Sequence, residues 1–82
     1  MWHLESYDKE TEEGVGDYAL TGVDESAVKE LLKLYCDGFD EREFGPFMYP
    51  IRHDGLPKLE ERAGEPLPKE DFLNYYVTFY DD

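Results

Sequence analysis

Two stretches of alternating aromatic and polar residues, one at each end of the sequence, constrain the fold more than any other feature. Trp2-His3-Leu4-Glu5-Ser6-Tyr7 puts Trp2 and Leu4 on one side and His3, Glu5 and Tyr7 on the other. Asn74-Tyr75-Tyr76-Val77-Thr78-Phe79-Tyr80 does the same, with Tyr75, Val77 and Phe79 opposed to Tyr76, Thr78 and Tyr80. A period of two over this length specifies half-buried β-strands, and aromatic and β-branched residues favour that state. Both patterns suit a central position, so the last strand is expected beside the first. Asp81 and Asp82 close the second stretch with charge that protects a sheet end.

Between them the elements follow in order. Glu13 to Leu20 reads as a second strand with Tyr18 and Leu20 on one side. Gly14 and Gly16 mark a bulge or a close backbone contact in it. Asp24 is an N-cap, with Glu25 in the first turn, and Val23 and Val28 form a hydrophobic staple. Ala27, Val28, Leu31, Leu32 and Tyr35 then recur at helical spacing, and Gly38 is the expected stop. Phe39 to Pro46 reads as an acidic loop with two isolated phenylalanines. Phe47 to Ile51 is a short extended piece confined to an edge by Pro50. Leu56 to Gly64 forms a short helix with Pro57 in its first turn. The order strand-strand-helix-strand-helix-strand predicts a single α+β domain over residues 1–82. It is an antiparallel sheet of about four strands with both helices on one face. Its radius should be about 12 Å, too small for a deep ligand cavity.

Charge narrows the function. The 82 residues hold 21 acidic and 8 basic side chains, a net charge of −13, and 13 of the acids fall in residues 1–43. Such a surface lacks the Lys/Arg needed to displace counterions, so neither nucleic acid nor an anionic membrane is an expected direct partner. A basic protein is. With 16% aromatic residues the chain should fold despite its charge. No apolar run approaches the ~20 residues that span a bilayer. The opening residues have no signal-peptide pattern, so a cytoplasmic location is expected.

No residue set meets the requirements of catalysis, metal binding or a cofactor, and the domain is not expected to be an enzyme. Cys36 stands alone near a helix C-terminus beside Asp37, which raises a thiol pKa, and reads as a small buried apolar residue. One Cys and two His without ligand spacing do not make a zinc site. Asp37-Gly38-Phe39-Asp40-Glu41 places its glycine wrongly for a calcium loop. Gly14-Val15-Gly16 lacks the partners of a phosphate loop. Glu5 is the one acid at a strand centre, and a solvated sheet face is its expected setting.

What remains is surface. Seven tyrosines exceed what a small core can bury with their hydroxyls satisfied, so some should serve an interface. Two acidic groups are the candidate contacts: Asp37, Asp40, Glu41 and Glu43 with Tyr49, and Asp8, Glu10, Glu12 and Glu13 at a hairpin tip.

The opening Trp2 to Thr11, the helix, Met48-Tyr49-Pro50-Ile51 and the Tyr75-Tyr76 strand together resemble short acidic bacterial domains of uncharacterised function. Glu30-Leu31-Leu32-Lys33-Leu34-Tyr35, the acidic segment and Tyr49-Pro50 are similar to the nuclease-colicin immunity proteins. There an acidic helix and a tyrosine–proline segment bind the basic toxin. That family is all-helical whereas both ends here read as strand, so the type carries over, small, acidic and toxin-neutralising. The resemblance implies contact through Tyr49, Asp40, Glu41 and Glu43. The leading expectation is thus an immunity or antitoxin-type inhibitor that occludes a basic effector, such as a nuclease, one to one. One alternative is a DNA-duplex mimic that occupies a nucleic-acid-binding protein; Lys29, Lys33, Arg42, Arg52, Lys58 and Arg62 would interrupt the mimic's carboxylate rows. Another is an accessory domain that self-associates as a homodimer through an aromatic strand.

Overall fold

Among the described residues, four strands join one antiparallel sheet in the spatial order Gly14–Ala19, Trp2–Asp8, Leu73–Phe79, Met48–Ile51. The computed structural model describes residues 1–81: β1 (Trp2–Asp8), β2 (Gly14–Ala19), α1 (Glu25–Tyr35), β3 (Met48–Ile51), α2 (Leu56–Ala63) and β4 (Leu73–Phe79). Short 3-10 turns at Glu41–Glu43 and His53–Gly55 precede β3 and α2. Asp82, one of the two acids expected to protect the sheet end, lies outside the described residues. The expected α+β architecture is the observed one, with β1 and β4 central and β3, which contains Pro50, at an edge.

Seven successive pairs, from Trp2 opposite Phe79 to Asp8 opposite Leu73, fix the β1–β4 register. Facing residues in a ladder share a side of the sheet. The register therefore sends Trp2, Leu4 and Ser6 with Tyr75, Val77 and Phe79 to one side, and His3, Glu5 and Tyr7 with Tyr76 and Thr78 to the other. The first side is the core. Leu4, Tyr75 and Val77 cluster there with Val28, Leu31 and Leu32 of α1 and with Leu56 and Leu59 of α2, so both helices cover that side. Cα atoms have a radius of gyration of 11.8 Å.

The local signals hold in detail. The Asp24 carboxylate accepts a 2.9 Å hydrogen bond from the Ala27 N–H, and Val23 and Val28 of the staple are both buried. In β2 the register slips between Ser6 and Tyr7, so that Gly16 faces Ser6, Gly14 faces Tyr7 and Val15 is left over. Both readings of the glycines apply, because a side chain on Gly16 would lie 2.5 Å from Ser6 Oγ. Gly64 ends α2 in the left-handed region at φ 73°.

Gly38 is not the stop of α1. The helix ends at Tyr35 with Cys36 as its extended C-cap, and Gly38, at φ 76°, instead belongs to the turn closed by the Phe39 N–H and Cys36 carbonyl. The cause is tertiary. The Tyr35 carbonyl accepts from the backbone N–H of Arg52 at 2.9 Å, and the Arg52 guanidinium reaches the Leu34 carbonyl at 3.4 Å. A cation at the helix C-terminus also complements its dipole. Cys36 is half-buried, not fully buried as expected, since α1 stops before that position can turn into the core.

Gly55 leads into α2 and lies against α1: a Cβ there would meet Tyr35 Cβ and Cγ at 2.7 Å. Gly55→Ala should cost about 1–3 kcal/mol through overpacking, lowering the thermal midpoint by at least about 4 °C. Thermal unfolding followed by circular dichroism checks this.

Candidate functional site

The segment between α1 and β3 is held by aromatic rings. Phe44 stacks on Trp2 with centroids 5.7 Å apart and planes 10° from parallel. Phe39 meets Phe44 edge-on at 5.8 Å, and Tyr49 lies 5.7 Å from both. The Tyr49 hydroxyl accepts from the Gly45 N–H at 2.9 Å and donates to the Gly45 carbonyl at 3.2 Å, which ties the loop to β3. Such ring pairs contribute about 0.5–1.5 kcal/mol each beyond burial. The two phenylalanines that looked isolated in sequence are therefore the ones that order this loop.

Most of its acids have local cations. Asp40 caps the 3-10 turn through the Arg42 N–H at 3.0 Å and pairs with the Arg42 guanidinium, which holds its carboxyl below the usual range. Asp37 meets Arg52 at 2.9 Å, and Glu41 meets Lys33 at 3.2 Å. Asp37, Asp40, Glu43 and Tyr49 nevertheless border one shallow hollow, together with Pro50 and with Phe47, which is 60% exposed. Glu41 does not join them, because it turns toward Lys33 on α1.

The hairpin tip is a separate place. Asp8 accepts from the Glu10 and Thr11 N–H groups at 2.8 and 3.1 Å, and these bonds lower its carboxyl pKa. Glu12 takes a left-handed conformation at φ 62°. Asp8 faces Leu73 at one end of β1, whereas Phe44 stacks on Trp2 at the other, so the two acidic groups do not converge. The structure leaves Glu10 and Glu13 exposed at this tip.

The uncovered side of the sheet overturns one expectation. Glu5 is not solvated: it is 9% exposed, and its carboxylate accepts from the Thr78 hydroxyl at 2.8 Å, the Tyr80 hydroxyl, and the Tyr7 hydroxyl at 3.4 Å. Three neutral donors thus replace water around the charge. Beside it His3 Nδ1 meets Asp17 at 2.7 Å, and the rings of His3 and Tyr80 pack edge-on at 5.0 Å. The sequence signal was present: the register that places Glu5 on this side also places Tyr76 and Thr78 there. Tyrosine hydroxyls are also better satisfied than composition implied. Those of Tyr7 and Tyr80 reach Glu5, that of Tyr49 reaches Gly45, and that of Tyr75 accepts from the Glu70 N–H at 2.8 Å.

For Cys36, burial and then Asp37 push the thiol pKa up, which disfavours the thiolate. No group of three or more metal-ligating side chains occurs among the described residues, and none of their helices is long and apolar enough to cross a membrane.

The bond to Glu5 pushes the Tyr80 hydroxyl up to about 12 from its ordinary value of 10.0. The folded state therefore favours the neutral phenol. That stability is complete below about pH 10 and is lost as pH rises toward about 12. Tyr80→Phe should remove a phenolate transition at about 12 from an ultraviolet titration and flatten the loss of stability over that interval, read by denaturant unfolding.

No curated protein and no solved structure matches this chain. Residues 1–78 match a family described as a domain of unknown function, DUF7683, and the chain belongs to that family.

Proposed function

We propose that this domain is a non-catalytic protein-binding module of the immunity or antitoxin type. Its role is to neutralise a basic effector, such as a nuclease toxin, in the cytoplasm by one-to-one occlusion. The observation that supports this reading best is the hollow beside β3. Asp37, Asp40 and Glu43 border it and Phe47 stands out from it at 60% exposure, while Arg52 and Arg42, which pair with Asp37 and Asp40, are not among the described residues that line it. An aromatic anchor ringed by carboxylates suits a basic surface with an apolar centre. The anchor resists dissociation once water is excluded, and the charges speed encounter. The net charge of −13 extends that attraction over the whole molecule. Separate acidic groups at the loop and at the hairpin tip give less support to a duplex mimic, which needs carboxylates in continuous rows.

The test begins with capture of the partner from a native lysate at low salt, followed by binding measurements on the purified pair. Phe47→Ala should weaken binding at least about tenfold, mostly through faster dissociation. The double change Asp40→Asn with Glu43→Gln should slow association and reduce its salt dependence. Unchanged rates in both variants would remove this hollow from the interface, and salt-independent affinity would remove the electrostatic mechanism.

A further inference from the structure

The side of the sheet away from the helices has an uneven chemistry. None of the 8 lysines and arginines lies in a strand, whereas Glu5 and Asp17, which face each other across β1 and β2, both lie on this side. The bonds that Lys9, Lys33, Arg42, Arg52, Lys58 and Lys69 make are with loops and helices. Around the acids stand tyrosine rings, and Met48 and Tyr80 are 44% and 41% exposed. Aromatic and acidic groups thus share this face without a lysine or arginine from the strands, Glu5 being held by hydroxyls and Asp17 by His3.

At the hairpin end of this face, Tyr7, Tyr76, Met48 and Asn74, with Asp8 from the end of β1 and Glu12 from the turn, border an open hollow of about 400 Å³. Its parts are held in place. The Tyr7 ring meets Tyr76 edge-on at 5.4 Å, and its hydroxyl is directed to Glu5. Gly14 leaves room for that ring, since a Cβ there would already be 3.3 Å from it. The Asp8 carboxylate is fixed by two backbone N–H groups through one oxygen, Oδ1.

We infer that this hollow is a binding site for an arginine side chain of a basic protein. Its guanidinium stacks on the tyrosine rings and bonds the carboxylates of Asp8 and Glu12, while its methylene stem lies along Met48. Arginine fits better than lysine because a planar, weakly hydrated cation can stack on an aromatic face and offer forked donors at once. Charge complementarity selects such an occupant over a second copy of this chain, which would bring another 13 negative charges and the same acidic face. The site lies on the sheet face and stands independently of the hollow beside Phe47.

A short probe separates the two. The ¹⁵N-labelled full chain is titrated with acetyl-Ala-Arg-Ala-amide, with its citrulline counterpart and with its lysine counterpart, by heteronuclear NMR. The arginine peptide should shift the amides of Tyr7, Asp8, Glu12, Asn74 and Tyr76 saturably, and the neutral citrulline peptide should not. The lysine peptide should bind about threefold more weakly. Glu12→Gln at the exposed tip and Tyr76→Ala should each weaken arginine binding about threefold or more, whereas Asp40→Asn with Glu43→Gln should leave it unchanged. Equal binding of citrulline or lysine, or unsaturable shifts spread over all the acids, would overturn the site. So would a mass that doubles with concentration while these amides shift without peptide, since a second copy would then be the occupant. Loss of the site by any of these routes leaves the Phe47 hollow untouched.

Discussion

The pairing of β1 with β4 is the constraint from which the other features follow. It joins the first and last strands over seven residue pairs, and these two strands are the ones with a neighbour on both sides. Once this register is set, Trp2 and Leu4 must face the helices and Glu5 must face away, because a shift of one residue would exchange every side chain between the two sides. The contact is made between residues more than 60 positions apart in sequence. The chain must therefore close a long loop before its best pairing forms, a topology that slows folding relative to local contacts.

Two devices adapt the rest of the chain to that sheet. On the helix side, Arg52 takes up the end of α1 by its backbone N–H and guanidinium and also pairs with Asp37 and Asp54. One residue thereby sets where the helix stops and how the strand before it leaves the sheet. On the other side, Glu5 is surrounded by hydroxyl donors from β1, β4 and the residue that follows β4. Neutral donors satisfy the carboxylate without cancelling its charge, so this face keeps its negative potential close to a fixed set of rings.

The parts of the structure legible in sequence are those governed by local periodicity. The alternation of residues 2–7 and 74–80 gave the central strands and their faces, and Asp24 with Val23 and Val28 gave the start of α1. What stayed hidden depends on partners distant in sequence. Gly38 looked like a helix stop because the backbone of Arg52, which ends α1 sooner, lies beyond β3. Phe39 and Phe44 looked isolated because Trp2, on which Phe44 stacks, lies near the start of the chain. Glu5 looked solvated because two of its hydroxyl donors belong to Thr78 and Tyr80. Of the candidate contacts, Asp37, Asp40, Glu43 and Tyr49 come together, Glu41 does not, and Asp8 and Glu12 border a different hollow with Tyr7 and Tyr76.

The two outer strands differ in what they permit. β3 is four residues long and includes Pro50, which has no backbone donor, so its free rim cannot sustain a further ladder. β2 has six residues, all with ordinary backbone donors, interrupted only by the slip at Val15. Head-to-tail stacking of sheets into a fibre needs two competent rims on every molecule, and this one has a single such rim. Any strand-to-strand association must then be isologous, β2 against β2 about a twofold axis, and growth ends at two molecules.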